Sequence, residues 1–419
     1  MPFFGSCISD MRTGAYYHRS VESLISFLVP AHARILRAGI RLPADSPGRF
    51  DAVVISDVLG HVHDIATYLA DARSLLAPHS RIVITQYSQL WEPFLRLASR
   101  LGLRRKEHEQ NWISLGDLGN FAELAGLQVV TTGRKILFPL FIPLMTPFIN
   151  RILANLPLLN RLCLVNYIVA RTIPSPVDHD HSVSIIVPAR NEAGTIARII
   201  RELPVLGSST EIIFIEGHSA DDTRTVIEHE VKMYQGPKRL SLAVQDGRGK
   251  GDAVRKGFSM ASGDILIIYD ADMTVPATEV GAFYEALIAG RGDFINGSRL
   301  VYPMRRQSMR TLNYIANKFF GISFSWLLGQ RIKDTLCGTK VLWRTDYEHI
   351  ARGRAFFGEF DPFGDFDLLF GAAKLNLKII DLPVHYGDRV YGTTNISRFR
   401  HGWLLIKMVI FAARKMKFV

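Results

Sequence analysis

The stretch Ile265–Thr274, ILIIYDADMT, decides how this chain is read. β-favouring apolar residues run straight into Asp270-Ala271-Asp272, the pattern of a buried strand that ends in two carboxylates at a sheet edge. Carboxylates held this close repel one another unless a hard cation or a donor-rich ligand neutralises them. A divalent ion shared with a phosphate is the usual solution, and an acidic turn cap is the plainer alternative.

Working outward, the flanking segments repeat a strand-then-helix rhythm. Strands are expected at Val183–Val187, Glu211–Ile215, Leu240–Val244, Asp264–Tyr269 and Asp293–Asn296. Helices are expected at Glu192–Leu203 with Asn191 as cap, from Ser219, at Lys250–Met260 and at Ala277–Ala289. Polar residues follow successive strands: Pro188, Arg190 and Glu192, then Glu216, then Asp270 and Asp272. Open α/β sheets bind ligands outside the carboxyl ends of their strands. Glycines around Lys250 let backbone approach a phosphate, but Gly249-Lys-Gly-Asp252 is no Walker A loop and no GxGxxG turn is present. The tail of this region holds a long apolar helix at Leu312–Leu328 and strands at Val341–Arg344 and Leu377–Leu382.

Residues 183–400 resemble the family 2 glycosyltransferases of the GT-A fold, with the polyprenyl- and dolichyl-phosphate sugar synthases as the nearest group. The resemblance rests on SIIVPARNE (184–192), EIIFIEGHSADDT (211–223), GRGKGDAVRKGF (247–258), DILIIYDAD (264–272), GSR (297–299), DTLCGTKVLWR (334–344), GDFD (364–367) and YGDRVYGTTNISR (386–398). It implies that Pro188, Arg190, Glu192, Glu216 and Asp252 surround the nucleoside, with Lys250 near a phosphate. Asp270 would approach the ribose or diphosphate, and Asp272 would bind Mg²⁺ or Mn²⁺ with Asp270 and Thr274 as further ligands. Arg389, Ser397 and Arg398 would cover the diphosphate, and Asp365 would serve the acceptor as general base or orienting group. Arg299 and Arg310 would clamp an acceptor phosphate. Three positions depart from the family pattern: Arg190 stands where relatives often carry tyrosine, Glu216 where aspartate is usual, and Thr274 where mannose-transferring relatives often carry glutamine.

The implied activity is inverting, metal-dependent transfer of a hexose from a nucleotide sugar, of GDP-mannose or UDP-glucose type, to a polyprenyl phosphate. The alternatives are a hydroxyl acceptor on a glycan, lipid or small molecule, a non-catalytic membrane scaffold, and an active SAM-dependent methyltransferase.

The last of these comes from the N-terminal part. FDAVVISDVLGHVHD (50–64) and LLAPHSRIVITQYS (75–88) resemble the middle of a class I SAM-dependent methyltransferase. Strands are expected at 33–36, 51–56, 81–85, 127–132 and 165–170, with helices at 17–30, 66–76, 90–101 and 115–125. Asp57, His61 and His63 sit where ligand contacts often lie in that family. The glycine-rich turn after ARILRAG (33–39) is missing, so a degenerate domain without a SAM cradle is expected. The fold class is thus α/β throughout: an extension (1–14), a methyltransferase-like domain (15–172), a linker (173–182), a GT-A domain (183–400) and an amphipathic C-terminal helix (401–419).

Charge and composition agree with an anionic ligand. Lys and Arg number 50 against 39 acidic residues, a net +11. That suits a nucleotide or an anionic membrane, while the absence of basic tracts and RNA-module signatures argues against nucleic acid. Cys7, Cys163 and Cys337 lack metal or disulfide spacing. No N-terminal signal pattern and no uninterrupted spanning run is visible. The expectation is a cytoplasmic enzyme, peripheral at the inner face of the membrane through its apolar helices, its oligomeric state open.

Overall fold

The computed structural model describes residues 14–30, 33–43, 50–102, 110–174, 176–177, 180–302, 311–356, 364–389, 391–392 and 398–418. The chain divides into two compact units, Met1–Pro174 with Met416–Val419, and Ser175–Lys415.

The first unit runs α1 (Gly14–Leu28), β1 (Ile35–Ala38), β2 (Phe50–Ser56), α2 (Ile65–Ser74), β3 (Leu76–Tyr87), α3 (Glu92–Arg100), α4 (Leu115–Leu124), β4 (Leu127–Lys135), α5 (Met145–Arg151) and β5 (Val165–Thr172). Its sheet has the order β1-β2-β3-β5-β4, with β5 antiparallel to both neighbours. Side chains alternate across it as strand geometry requires. Val53, Ile55, Ile82 and Ile84 pack with Leu69 and Leu118 on one face. Val54 and Val83 pack with Tyr17, Val21 and Ile25 of α1 on the other. Asp64 caps α2 by accepting from the Thr67 amide, and Ser114 with Asp117 forms a capping box that starts α4. β1 lies parallel to β2 (Ile35 beside Ala52), although only residues 39–49 separate them. A parallel crossover normally has a helix of its own, and among the described residues of this connection there is none.

The second unit runs β6 (Val183–Ala189), α6 (Ile196–Glu202), β7 (Thr210–Glu216), α7 (Thr223–Met233), β8 (Arg239–Val244), α8 (Lys250–Met260), β9 (Ile265–Ile268), α9 (Val280–Ile288), β10 (Phe294–Ser298), α10 (Thr311–Leu328), β11 (Lys340–Trp343), α11 (Arg344–Arg352), α12 (Asp365–Lys374), β12 (Ile379–Pro383) and α13 (Arg398–Met416). The seven strands are ordered β12-β10-β11-β9-β6-β7-β8, all parallel except β11. Ile185, Val187, Ile212, Phe214, Ile265 and Ile267 centre its core and are buried.

Asn191 does not cap a helix. It lies in the left-handed region (φ 57°) and its Oδ1 accepts from the Ala220 amide, so it ties two loops together, while α6 begins only after Thr195. No helix among the described residues is long and apolar enough to cross a membrane.

Candidate active site

β9 ends at Ile268, and the chain turns through Asp270, Asp272 and Met273, the last with φ 53°. A bulky residue in that region marks strain that the surroundings must impose. They do so through Thr274, whose amide and hydroxyl both donate to Asp272 Oδ1 at 3.1 and 2.9 Å. Thr274 is buried, so its first task is to aim Asp272. Oδ2 of Asp272 is left to accept from Arg389 at 3.2 Å.

Asp270 meets the ammonium of Lys250, at the start of α8, at 2.5 Å. Burial pushes its carboxyl up, but the neighbouring charges of Lys250, Lys340 and Arg299 outweigh this and hold it below the ordinary range. The pair is fitted against Gly338: a Cβ there would run into Asp270 Oδ2 and Lys250 Nζ.

The path of the segment after β12 explains how Arg389 arrives. Val384 donates to the Ser298 carbonyl and Gly387 to that of Thr274, so the chain is threaded along the acidic turn. Arg389 then reaches Glu192 Oε1 at 2.8 Å as well as Asp272. Tyr391 lies so close to Gly194 that any side chain there would strike its ring, and Gly392, at φ 72°, faces the Asn191 carbonyl. Glu192 is buried and its Oε2 has no hydrogen-bond partner among the described residues. Burial raises its carboxyl to about 7, against the pull of Arg389 and with the help of the Asp272 charge.

Beside this cluster, at the carboxyl ends of β6, β7 and β8, lies a cavity of about 720 Å³ lined by Arg190, Gly217, His218, Gln245, Asp246, Gly247 and Arg248. Of these only Arg190 stands among the residues the sequence points to. Gln245, Asp246 and His218 follow strands too, and the rule about strand ends would have found them. Glu216 Oε1 accepts from the Ser219 amide at 2.5 Å and Asp252 Oδ2 from the Gly247 amide at 2.8 Å. Both carboxylates therefore shape the loops around the cavity. Pro188 pairs with Ile215 within the sheet.

On the acceptor side, Arg299, expected to clamp an acceptor phosphate, makes a two-pronged pair with the fully buried Asp334, Nε to Oδ2 at 2.7 Å and Nη2 to Oδ1 at 2.8 Å. Burial works against the charge of both, yet their mutual attraction raises the guanidinium and lowers the carboxyl. Such a pair is spent on holding β10 to the segment before β11. Arg310 and Ser397 lie outside the described residues, as do the side chains of Arg398 and Asp365. Asp365 opens α12, behind Gly364 (φ 74°), whose Cα side packs against the backbone of Gly251 in α8. The start of α12 is thus set beside the helix that carries Lys250.

Asp270 and Asp272 suit a hard dication: both are carboxylates on one turn, and the ammonium and guanidinium beside them stand where a cation would neutralise them. Among the described residues no three His, Cys, Asp or Glu side chains converge on one metal position. Further ligands would be oxygens of a bound diphosphate and water, the common arrangement for Mg²⁺.

Residues 184–350 match the family described as Glycosyl transferase family 2, and residues 8–132 match a methyltransferase domain. The chain is 28% identical over 226 residues to Glycosyltransferase AglJ of Haloferax volcanii, covering 54% of this chain and 69% of that protein. It is 22% identical over 230 residues to the undecaprenyl-phosphate 4-deoxy-4-formamido-L-arabinose transferase of Enterobacter sp. (strain 638), 54% of this chain and 65% of that one. A solved structure of glucosyl-3-phosphoglycerate synthase from Mycobacterium tuberculosis, with Mn²⁺, uridine diphosphate and glucosyl-3-phosphoglycerate, covers 56% of this chain and 80% of its own at 19% identity and a TM-score of 0.41. Residues 184–350 therefore match the family 2 glycosyltransferases and lie on a GT-A-like mixed sheet, preceded by a separate α/β domain that is methyltransferase-like.

Proposed function

We propose that the second unit transfers a hexose from a nucleotide sugar to a hydroxyl acceptor, with inversion and with the help of Mg²⁺ or Mn²⁺. The observation that carries this reading is the acidic turn at the end of β9, its two carboxylates held apart by Lys250 and Arg389 beside the strand-end cavity. The cavity, with Arg190 and Arg248 on its wall, takes the nucleoside. Lys250 and Arg389 take charge on the departing diphosphate, where fixed donors contribute most to rate. When bound, the dication supplies Lewis-acid neutralisation of that same group. Asp365 accepts the proton of the attacking hydroxyl. The reaction is a single displacement, since among the described residues no second carboxylate is placed as nucleophile.

A hydroxyl is favoured over a phosphate because Arg299, one of the two arginines expected to clamp a phosphate, is paired with Asp334. A polyprenyl phosphate is the second reading, favoured by the name of the Enterobacter relative. Donor turnover with GDP-mannose and UDP-glucose, offered a polyprenol, a polyprenyl phosphate and a soluble glycoside, separates the two. Transfer to a free alcohol that needs Mn²⁺ and stops with EDTA is expected. Transfer confined to the phosphate would replace the acceptor, and transfer indifferent to EDTA would remove the metal.

A further inference from the structure

The connection from β4 to β5 in the first unit is built inside out. Its polar side chains point inward and tie the loop together. Asn150 Oδ1 accepts from the amides of Leu137 and Phe138, at 2.8 and 2.9 Å, and its Nδ2 donates to the Phe138 carbonyl and to Tyr16 Oη. Thr146, fully buried, accepts from the Ile142 amide and donates to the Leu140 carbonyl. The large apolar side chains point outward instead. Leu144 is 89% exposed, and Phe141 and Phe148 are more than half exposed. Leu144 also sits at φ 65°, so the tip is held in a conformation a leucine avoids. A loop with water as its only neighbour gains nothing from this arrangement.

The loop is not alone at that end of the sheet. Tyr87, Val165 and Lys135 are neighbours across β3, β5 and β4, so α3 and the whole 136–164 connection leave from one edge. Trp91 Nε1 donates to the Leu162 carbonyl at 2.8 Å and joins the two segments. α3 adds Phe94 and Leu97, with Leu101 just beyond its end, all exposed. The combined patch is larger than a scatter of single surface apolars, and such patches mark interaction sites. Charge selects the partner. Residues 124–177 contain no Asp or Glu but carry Arg134, Lys135, Arg151, Arg161 and Arg171, with Arg151 and Arg161 exposed. Apolar wedges rimmed by arginine suit the headgroup and acyl boundary of an anionic bilayer.

We propose that the 136–164 connection and α3 form a docking surface for an anionic lipid bilayer, so that the methyltransferase-like unit works as a membrane-seating module. The proposal does not rest on the transfer reading. It is tested by co-sedimenting the full chain, without sugar nucleotide, with vesicles of phosphatidylglycerol in phosphatidylcholine and with phosphatidylcholine alone. Binding to the anionic vesicles that weakens with salt is expected, and it should fall about tenfold or more in Leu144→Ser/Phe148→Ser. Leu144→Trp, at so exposed a position, should show blue-shifted emission quenched by brominated lipid, a readout independent of how the double variant folds. Equal binding to both vesicle types, or emission from the Leu144→Trp variant that lipid leaves unchanged, would overturn the proposal. So would loss of binding in Trp403→Ser/Ile410→Ser of α13 with full binding in the loop variant. A dimer in lipid-free solution that Leu144→Ser/Phe148→Ser dissolves would assign the surface to a second copy instead.

Discussion

Arg389 touches two carboxylates of different character, and their difference sets what each substitution does. Asp272 is partly exposed and fixed by Thr274. Asp272→Asn keeps the turn and removes the charge, so turnover should fall by orders of magnitude while the thermal unfolding midpoint stays put. Arg389→Ala should do the same to turnover, and near-normal rates in both variants would dismiss this site. Glu192 is buried with its carboxyl raised to about 7. A carboxyl raised in the fold binds its proton more tightly folded than unfolded. Between its unfolded value, about 4.3, and 7, its contribution to stability therefore declines as pH rises. Unfolding midpoints taken from pH 5 to 8 should show this decline, and Glu192→Gln should flatten it. A wild-type and variant pair with parallel pH profiles would show that Glu192 does not titrate in this window. The acidic turn and Glu192 are readable from sequence because strand and motif lie together. The partner of Arg299 is not, since Asp334 is 35 residues away and nothing local distinguishes an arginine waiting for a phosphate from one already paired.

At the level of elements, α8 begins and ends where the sequence puts it, because Gly249 at φ 88° marks its start unambiguously. α6 does not: a left-handed Asn191 looks like a cap in one dimension and is a loop tie in three. β11 is read as a strand at 341–344, but its antiparallel direction is not legible, since pairing direction leaves no trace in a four-residue strand, and the helix α11 behind it is not read either. The buried Arg299–Asp334 pair is the hinge pin of this part of the sheet. Asp334→Ala should cost about 3–5 kcal/mol in chemical denaturation, because it leaves a buried guanidinium unpaired. Replacing both partners with apolar residues should cost much less, and a double variant as unstable as the single one would refute the unpaired-charge explanation. Gly364→Ala would place a Cβ against the Gly251 backbone at a φ that alanine avoids. It should lower turnover by displacing Asp365 and also lower the thermal unfolding midpoint, because backbone and not a flexible side chain must give way.

Across the whole molecule, two α/β sheets share one chain. The first has β1 directly beside β2, and its sequence lacks the glycine-rich turn of a SAM cradle. Calorimetry should give no heat with SAM and clear heat with a nucleotide sugar and Mn²⁺; the reverse result would hand the activity to the first unit. What sequence alone leaves invisible is the inverted loop at 136–164, because its prolines and apolar residues read equally as a broken span. The net charge of +11 draws polyanions toward the surface from a distance. At the centre, however, Lys250 is already paired with Asp270, and Arg389 with both Asp272 and Glu192. A dication arriving alone would find these carboxylates already engaged, and a diphosphate arriving alone would find its counter-charges engaged. The two would gain most by entering together as a chelate, each releasing the other's place, so that loading would be an exchange of partners and not the filling of a vacancy.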